Sequence, residues 1–270
     1  MTVKAFNAIA GDYDRTFTDT AVGRILRQAV WRHLAVVFRP GTRIWELNCG
    51  TGEDAVWLAG QDIRVLATDG SPAMLRAAAD KAAAHGRTDR IEFRCFDFSE
   101  ASTAPSEEGF DGALSNFGGL NCVPDLTPLA RLLGRCVKPG GHAILVVMGR
   151  WCLWEMLWHL IHLKPGLAFR RIARNGAAAG IGGRSAHVWY PSGRKLCAVM
   201  KPEFRLARVM GLGVVLPPTY LQPAVVTRKR LFRLLCRLEG ILNSAAVIRR
   251  FGDHILYDFE RTMLTPRDRS

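Results

Sequence analysis

Residues 44–59 constrain the fold of this chain more than any other stretch. An apolar run ending at Leu47 has the length and composition of a buried strand. It breaks into the turn Gly50-Thr51-Gly52, and a helical pattern begins near Glu53. Because glycines let a ligand approach bare backbone and the first N–H groups of a helix are free to bind it, this strand–turn–helix unit predicts a ligand site at the strand end.

Two acidic residues stand at the ends of the next two predicted strands. Val65–Asp69 ends in an acid 23 positions after Glu46, and Phe93–Phe98 carries Asp97 beside an aromatic residue. An acid at the end of the second strand is placed to accept hydrogen bonds from the two ribose hydroxyls of a nucleoside lying across the strand ends. The sequence therefore predicts a nucleoside-containing ligand.

The motif Glu46-Leu47-Asn48-Cys49-Gly50-Thr51-Gly52 resembles the first motif of the class I S-adenosylmethionine (SAM)-dependent methyltransferases, an acid followed by G-x-G-x-G. The likeness is to small-molecule enzymes with a type 11/25-like methyltransferase domain. Asn48 replaces the first glycine, and asparagine tolerates a left-handed backbone better than most residues. A dinucleotide-binding oxidoreductase is the competing interpretation, but its G-x-G-x-x-G does not follow this strand.

The resemblance implies SAM as the cofactor and S-adenosylhomocysteine as its product. It assigns Glu46 and the glycine loop to the methionine part and Asp69 to the ribose. Asp97 and Phe98 are assigned to the adenine. Tyr13 lies in a Y-D segment of the type that folds over the cofactor in this family, although packing under a loop is an alternative role. The candidate cofactor-binding residues are Tyr13, Glu46, Leu47, Asn48, Cys49, Gly50, Gly52, Asp69, Gly70, Met74, Asp97, Phe98, Asn116 and Phe117.

The resemblance also implies a doubly wound, Rossmann-like α/β fold with a seven-stranded sheet whose last strand is antiparallel and lies between the fifth and sixth. Further strands are predicted at 91–96, 110–115, 142–148, 204–215 and 253–261. Helices are predicted at 20–38, 53–59, 71–86, 124–137, 193–200 and 228–251. We expect a SAM-binding core with an N-terminal cap helix over 1–150, a lid and acceptor-binding insertion over 151–203, and C-terminal strands with a basic amphipathic helix over 204–270.

The insertion is the main departure from a minimal methyltransferase. Trp151, Trp154 and Trp158 share one face of a helix predicted over 151–163. Such a stripe suits ordinary core packing, and equally contact with an apolar acceptor or a membrane interface. A Gly/Ala run over 176–183 is predicted to be a loop. An acceptor hydroxyl would benefit from a general base, and the candidates in this region are His159, His162, His187 and Tyr190.

The net charge of +13 is unevenly distributed. Residues 1–149 hold 16 Lys/Arg and 17 Asp/Glu, whereas residues 150–250 hold 18 Lys/Arg and only Glu155, Glu203 and Glu239 as acids. The basic half predicts an anionic partner, such as a membrane surface, nucleic acid or an acidic substrate. Simple solvation of basic faces is the alternative.

The composition excludes several other classes. With 49% hydrophobic residues the chain is globular rather than disordered. No signal peptide or membrane-spanning segment is expected. Seven cysteines without a C-x-x-C pair favour reduced thiols over a disulfide framework or a zinc site, and no metal site is predicted. We expect a cytoplasmic protein, and the basic half raises the expectation of peripheral contact with the inner face of the membrane.

The expected activity is transfer of the SAM methyl group to a small hydrophobic, aromatic or lipid-like metabolite by in-line displacement. Two alternatives stay open: methylation of RNA or protein docked on the basic half, and a non-catalytic SAM-binding module. No N-P-P-Y-like run follows the fourth strand, and Cys122 follows Asn121 rather than proline. These features count against adenine N-methylation and 5-methylcytosine chemistry, so nucleic acid is the less favoured partner.

Overall fold

The computed structural model describes residues 2–97, 108–181 and 184–263, and a seven-stranded sheet lies at its centre. The strands are β1 (Arg43–Glu46), β2 (Arg64–Asp69), β3 (Ile91–Cys95), β4 (Phe110–Ser115), β5 (Val137–Met148), β6 (Ala177–Ile181), β7 (Arg184–Val188), β8 (Phe204–Leu212) and β9 (His254–Arg261). The helices are α1 (Thr2–Ile9), α2 (Ala21–Val37), α3 (Glu53–Gly60), α4 (Pro72–Ala84), α5 (Thr127–Cys136), α6 (Leu153–Ile161), α7 (Pro165–Ala168), α8 (Gly193–Met200), α9 (Pro223–Val226) and α10 (Lys229–Leu242).

The order of strands in the sheet is β3-β2-β1-β4-β5-β9-β8, and β6 and β7 form a separate hairpin. Strands β1 to β5 pair in parallel, whereas β9 pairs antiparallel with both β5 and β8. The expected fold class, with the last strand antiparallel between the fifth and sixth, is confirmed. The chain reverses direction across the sheet between β1 and β4, and such a reversal leaves a crevice at the carboxyl ends of the strands.

Both faces of the sheet are buried because successive strand residues point to opposite sides. Ile44 packs on the side of α2, α3 and α10, whereas its neighbour Trp45 packs on the side of α5 and α8. Val65 and Leu66 on β2 divide in the same way. The near-continuous apolar runs of the sequence are therefore the signature of strands covered on both faces.

The N-terminal segment contains more helix than the sequence analysis assigned. Helix α1 is followed by a π-helical turn over Asp14–Thr18, and then by α2. Thr20 is the N-cap of α2, and its hydroxyl accepts a hydrogen bond from Gly23 N at 3.0 Å. The helix predicted from residue 19 or 20 to residue 38 is thus confirmed over Ala21–Val37, and Thr20 caps it.

Two predicted elements at the C-terminal end are too long. The strand predicted over 204–215 ends at Leu212, because Gly213 has φ of +68° and the next N–H groups donate to the Glu239 carboxylate instead of a strand. The helix predicted over 228–251 ends at Leu242, where the carbonyl of Asn243 accepts a hydrogen bond from Gly211 N at 2.7 Å. A separate 3₁₀ turn follows over Ile248–Phe251.

The insertion also differs from its prediction in two places. The helix predicted over 151–163 spans Leu153–Ile161, so Trp151 precedes it and the three tryptophans do not form one helical stripe. The Gly/Ala run predicted to be a loop contributes β6, which pairs antiparallel with β7. A run of glycine and alanine has no hydrophobic period by which the sequence could distinguish a strand from a loop. The pairing with β7 decides its conformation.

Candidate cofactor site

A cavity of ≈ 440 Å³ lies at the carboxyl ends of the central strands. This volume is in the range of small-molecule and cofactor sites. Residues after β1, β2, β3 and β4 form its walls, and α1 covers it with Val3 and Phe6. The crevice predicted by the strand order is therefore a partly open cavity, and the N-terminal helix of the chain covers part of it.

The glycine turn after β1 has the backbone that the sequence pattern predicts. Gly50 has φ of +52°, and the position of a Cβ at Gly50 is open space beside the cavity. Gly52 has φ of +79° and caps α3; a Cβ there would lie 2.8 Å from the Cβ of Ala78 on α4. The first glycine thus leaves room for a ligand, and the second lets two helices pack closely.

Asn48 replaces a glycine for a reason that the sequence analysis did not identify. Its backbone is not left-handed, so the tolerance of asparagine for that conformation plays no part. Instead its side chain bridges two strands: the amide donates to Asn116 O at 2.8 Å and its oxygen accepts from the Ser115 hydroxyl. The same side chain packs on Gly119, where a Cβ would come within 2.4 Å of its Cγ.

Asp69 braces the glycine turn from the end of β2. One carboxylate oxygen accepts from Gly50 N at 3.0 Å and the other from Ser71 N at 2.8 Å. Burial raises the pKa of Asp69, and the two backbone hydrogen bonds oppose that rise. A carboxylate has about four lone-pair sites, so two remain for ligand hydroxyls.

Charges around the cavity favour a cationic ligand. The described lining contains five acids, whereas Arg27 is its one basic residue; the acids are Glu53, Asp54, Asp69, Asp97 and Asp125. A cleft lined by one sign of charge raises the local concentration of ligands of the opposite sign. SAM carries a sulfonium, which suits this excess of carboxylates.

Arg27 is itself fixed by a buried network on the floor of the cavity. Its guanidinium forms an ion pair with Asp54, and both side chains are almost completely buried. Asp54 also accepts hydrogen bonds from Trp31 Nε1 at 2.6 Å and from Asn116 Nδ2 at 2.9 Å. Arg27 Nε has no hydrogen-bond partner among the described residues. The network joins α2, α3 and the end of β4 in one rigid unit.

Phe117 follows that network and has a strained backbone. Its φ is +48°, a conformation that bulky residues rarely adopt. Its ring packs under the Arg27 guanidinium at 4.9 Å from the ring centre, and it contacts Phe17 and His254 edge-on. Backbone strain of this kind persists where surrounding contacts fix it, and it concentrates at ligand sites.

Tyr13 lines the cavity from the N-terminal segment. Burial raises the pKa of its phenol to about 12, while the charge of Arg27 opposes the rise. At neutral pH the phenol is therefore protonated and acts as a hydrogen-bond donor. Tyr13 therefore brings a hydrogen-bond donor to the cavity wall.

The structure brings most of the predicted cofactor residues together. Among the described lining residues are Tyr13, Asn48, Cys49, Gly50, Asp69, Gly70, Met74, Asp97, Asn116 and Phe117. Glu46, Leu47 and Gly52 are not among them, and Phe98 lies outside the described residues. Leu47 is a core residue, and Gly52 serves helix packing as described above.

Glu46 is buried behind the glycine turn. It is 1% exposed, and its Oε2 has no hydrogen-bond partner among the described residues. Burial, together with the nearby charge of Asp54, raises the pKa of Glu46 well above its usual value. An unpaired buried carboxyl is costly unless a partner is supplied, so this orphaned atom fits a site that a donor group from a ligand completes.

The four predicted candidates for a general base do not line this cavity. The ring of His162 is 2.7 Å from Trp158 O, and that of His187 is 2.6 Å from Asn175 O. His159 lies on α6. Tyr190 instead lines a second cavity of ≈ 260 Å³, which shares the wall residues Val123 and Pro124 with the first.

The second cavity lies under the insertion. Leu126, Trp189 and Leu196 give it apolar walls, and its basic residues are Arg150, Arg174 and Lys195. Trp189 and Asn121 exchange two hydrogen bonds, each 2.7 Å long, which tie the end of β7 to the turn after β4. The two cavities adjoin each other at Val123 and Pro124, which line both.

A cluster of potential metal ligands, Cys152, Glu155 and Asp253, lies among the described residues between the insertion and β9. Arg171 donates to both carboxylates, at 2.8 Å to Asp253 Oδ1. Burial raises the pKa of both carboxyl groups, but the charge of Arg171 on Glu155, and the charges of His254 and Arg171 on Asp253, hold each pKa below its usual value. Burial raises the pKa of the Cys152 thiol. The guanidinium supplies the positive charge here, so the cluster is a structural ion pair that anchors the insertion.

Sequence reasoning missed Arg27, Asp54, Ser71 and the α1 residues of the cavity wall. A usable signal existed for Arg27, since it falls between Leu26 and Val30 on the apolar side of α2. A cation at a buried helix position requires a partner. The cover by α1 had no such signal, because it depends on how the N-terminus returns over the sheet.

The geometry defines a nucleoside-type cofactor site in a doubly wound α/β domain, and comparisons with known proteins agree. Residues 44–141 match the family model of a methyltransferase domain. The chain is 31% identical over 151 residues to the 2-phytyl-1,4-naphtoquinone methyltransferase of Synechococcus elongatus, covering 54% of this chain and 62% of the relative. It is 29% identical over 158 residues to the demethylmenaquinone methyltransferase of Beutenbergia cavernae, covering 57% and 61%.

The crystal structure of an S-adenosylmethionine-dependent methyltransferase from Mesorhizobium loti superposes with a TM-score of 0.54 at 18% identity, covering 86% of this chain and 97% of that one. The chain spans less than two thirds of the length of the curated relatives it matches. The domain match over residues 44–141 and these relatives show a SAM-dependent methyltransferase domain in this chain, as the motif at 46–52 indicated, and the fold is consistent with that of the class I methyltransferases.

Proposed function

We propose that this protein transfers the methyl group of SAM to a small hydrophobic acceptor, aromatic or lipid-like, in the space where the two cavities meet. The observation that carries the proposal is the acid-rich cavity around Gly50 and Asp69, next to an apolar and aromatic cavity that shares Val123 and Pro124 with it. One cavity has the volume and charge for the cofactor. The other offers the surface for an acceptor.

The residues of the first cavity fit SAM part by part. The open position at Gly50 suits the methionine part, and the unpaired carboxyl of Glu46, buried behind the glycine turn, would complete this end of the site. The free lone pairs of Asp69 suit the ribose hydroxyls, and Asp97 with the neighbouring Phe96 ring suits the adenine. Tyr13 and Asn116 are polar residues of the same wall. These assignments follow the chemistry of each donor and acceptor.

Bound SAM supplies an electrophilic methyl group: the acceptor atom forms a bond to that carbon while the carbon–sulfur bond breaks. The chain contributes position and exclusion of water. The Arg27–Asp54–Asn116 network fixes the floor, and α1 covers part of the site. Holding two reactants in line supplies about 7–11 kcal/mol of the barrier, so a dedicated base is unnecessary for a neutral amine acceptor, which loses its proton to solvent after transfer.

For a hydroxyl acceptor, Tyr190 is the best placed of the predicted bases because it lines the second cavity. Burial raises its pKa, whereas the charge of Arg171, 5.6 Å from the ring centre, lowers it. A protonated Tyr190 would orient an acceptor oxygen as a hydrogen-bond donor. Residues His159, His162 and His187 remain predictions without a place in this arrangement.

The relatives support an acceptor with an aromatic ring and an apolar tail. They are named for a phytyl naphthoquinone and for demethylmenaquinone. Trp189 and Tyr190 provide aromatic walls, and Leu126, Leu196 and Val199 provide apolar ones. We therefore place this chain with small-molecule methyltransferases rather than with those that modify RNA or protein.

The test is incubation of the pure protein with methyl-labelled SAM and a cell extract, followed by partition of the label between organic solvent, nucleic acid and protein. The proposal predicts label in the organic phase, and none with Asp69→Ala. Label in RNA or protein would show that the acceptor is a macromolecule. SAM binding without any transfer to the complete extract would support a non-catalytic binding module instead.

A further inference from the structure

The insertion and α10 together expose an unusual amount of apolar side chain. On α6 and just after it, the exposed residues are Leu153, Leu157, Leu160, Ile161 and Leu163, and they continue into Leu167 and Phe169. Ile161 is 77% and Leu163 is 88% exposed. Contiguous apolar patches of this kind mark an interaction surface. We call the exposed side chains of residues 151–169 and of α10 the basic–apolar surface.

Helix α10 has three distinct faces. Phe232, Leu235 and Cys236 pack on the core beneath the sheet. Leu231, Leu234 and Ile241, spaced i, i+3 and i+10, form an exposed apolar stripe, with Ile241 72% exposed. Arginines lie beside that stripe at positions 230, 233 and 237, and all three are exposed. The helix therefore uses one apolar face for the fold and leaves a second one uncovered.

The two parts of the surface are neighbours because both attach to residues 213–216. Trp154 Nε1 on α6 donates to Val215 O at 2.7 Å. The Glu239 carboxylate on α10 accepts from the N–H groups of residues 213–216, at 2.8 Å from Gly213 and Val215 and 3.2 Å from Val214 and Leu216. The exposed leucines of α6 and the stripe of α10 thus flank one short segment.

Every exposed charge on these helices is positive. The acids within residues 151–169 and 228–251 are Glu155 and Glu239. Glu155 is 1% exposed and pairs with Arg170 and Arg171, and Glu239 is 4% exposed and binds backbone N–H groups. Because both acids are buried and have partners within the fold, the charged side chains on this surface are all cations, and they lie next to apolar side chains.

We propose that the basic–apolar surface docks on an anionic lipid membrane, with the leucines and isoleucines in the headgroup region and the arginines on the phosphates. A helix lying in the interface has this composition: an apolar stripe flanked by basic residues. A second copy of the chain fits poorly, since a two-fold interface would bring these arginines against each other. No helix among the described residues is long and apolar enough to cross a membrane.

The position of the surface also links it to the acceptor cavity. Arg150, a lining residue of the second cavity, donates to Ile172 O at 2.6 Å, and Ala173 and Arg174 line that cavity as well. The insertion thus contacts the membrane with α6 and borders the acceptor cavity with its next turn. A lipid-like acceptor would pass from the bilayer to the cavity without crossing water; this last step rests on the proposed function, whereas membrane docking does not.

The experiment is cosedimentation of the full chain with vesicles of phosphatidylcholine alone or with about 30 mol% phosphatidylglycerol, at low and high salt. The proposal predicts binding to the anionic vesicles, weakened more than about tenfold by high salt. Replacing Arg230, Arg233 and Arg237 by Gln should weaken it more than about tenfold. Leu157→Ser with Ile161→Ser should do the same at low salt, because lost apolar burial is not compensated by charge.

Matched controls come from the other half of the chain. Val36 is 78% exposed on α2, and Arg39, Arg64 and Arg76 are exposed arginines there. Val36→Ser and the triple change of Arg39, Arg64 and Arg76 to Gln should leave vesicle binding unchanged. The SAM affinity of every variant shows that it is folded. Vesicle binding involves no methyl transfer, so its result tests docking separately from the proposed function.

Three results would overturn the proposal: no vesicle binding by the folded protein, equal loss in the matched controls, or a dimer that Leu157→Ser with Ile161→Ser converts to monomer. The last would assign the apolar patch to a second copy. Binding to RNA in place of vesicles, lost with the arginine triple variant, would assign the surface to nucleic acid.

Discussion

Acidic side chains face the cavity in the cofactor half of this protein, but they are buried inside the fold around α6 and α10. Asp69, Asp97 and Asp125 line the cofactor cavity and give it negative charge. Glu155 and Glu239 also carry carboxyl groups, yet Glu155 binds an arginine pair and Glu239 binds a set of backbone N–H groups. The cavity is therefore negative, whereas the surface around α6 and α10 is left positive. The excess of positive charge in the chain lies in residues 150–250, which contain α6 and α10.

The difference shows that composition alone is a weak guide to a site. Both halves contain acids and arginines, but only the position relative to strand ends and helix faces decides which charges a ligand meets. In the cofactor half, parallel strands bring the ends of β1, β2 and β3 to one edge. In the other half, the acids satisfy groups that burial would otherwise leave unpaired.

The largest expected effect on stability comes from the buried ion pair of the cofactor half. Arg27→Met leaves Asp54 buried without its cation, so the free energy of unfolding should fall by about 3–5 kcal/mol. Arg24→Met is the matched control, because Arg24 lies on the same helix in an exposed pair with Asp19 and should cost about 0–1 kcal/mol. Urea denaturation measures both. Equal losses would remove the special role of the Arg27 network.

A smaller effect is expected from the structural acid of the basic half. Glu239→Gln loses the charge that accepts N–H groups of residues 213–216, and a hydrogen bond to a charged group contributes about 1.5–3 kcal/mol. We expect a loss of stability in that range with SAM affinity unchanged. Glu260→Gln, in a partly exposed pair with Arg205, should cost much less. A loss of SAM affinity in Glu239→Gln would contradict the division between the two halves.

The pH dependence of stability should show a third, smaller effect at the join of β5 and β9. The carboxylate of Asp258 lies 2.9 Å from His33 Nε2 and 2.7 Å from His142 Nδ1. The hydrogen bond to Asp258 raises the pKa of His142, and both imidazoles lower the pKa of Asp258. A raised histidine pKa contributes stability below the unfolded value, which is lost as pH rises through the folded value. A lowered aspartate pKa contributes stability above the unfolded value, lost as pH falls.

Unfolding measured from pH 3 to about pH 9 tests this assignment. His142→Gln should remove the part of the decline in stability above about pH 6.5, whereas His85→Gln, at an exposed position on α4's end, should keep it. If stability declined above about pH 6.5 to the same extent in His142→Gln, the His142–Asp258 pair would not be the cause of that decline.

The smallest stability effect should come from the exposed arginines of α10. Changing Arg230, Arg233 and Arg237 to Gln should alter the free energy of unfolding by less than about 0.5 kcal/mol per site, as is usual for exposed positions. Denaturation of the triple variant measures this. A large loss would mean that these side chains hold the fold rather than meet a partner.

Most of the fold followed from local sequence signals, and the failures have a common cause. The strands at 65–69 and 110–115 and the caps at Thr20 and Ser71 were predictable because apolar period and capping residues agree with the tertiary structure. The ends of β8 and α10 were not, because Glu239 binds residues 213–216 across 23 or more positions. Long-range hydrogen bonds of this kind leave no local pattern.

The site divides in the same way. Gly50, Asp69 and Asp97 were predictable because a strand end places each of them. Arg27 and Asp54 were missed because their role is to form an ion pair with each other, and that pair depends on the packing of α2 against α3. Asn48 lines the cavity, but the expectation that its backbone would be left-handed is wrong, since its side chain makes the contacts that fix this position.

The central claim is that Asp69 holds the cofactor, and its most direct test is the affinity of the Asp69→Ala variant for SAM, measured by calorimetry. Asp69→Asn keeps the size of the side chain but removes its charge. Asp80→Ala is the control, because Asp80 is an exposed acid on α4. Two lost hydrogen bonds to a charged group correspond to at least about a hundredfold weaker binding. The account predicts this loss in Asp69→Ala, a partial loss in Asp69→Asn and none in Asp80→Ala. Unchanged affinity in folded Asp69→Ala would contradict it, since the strand-end acid would then not hold the cofactor.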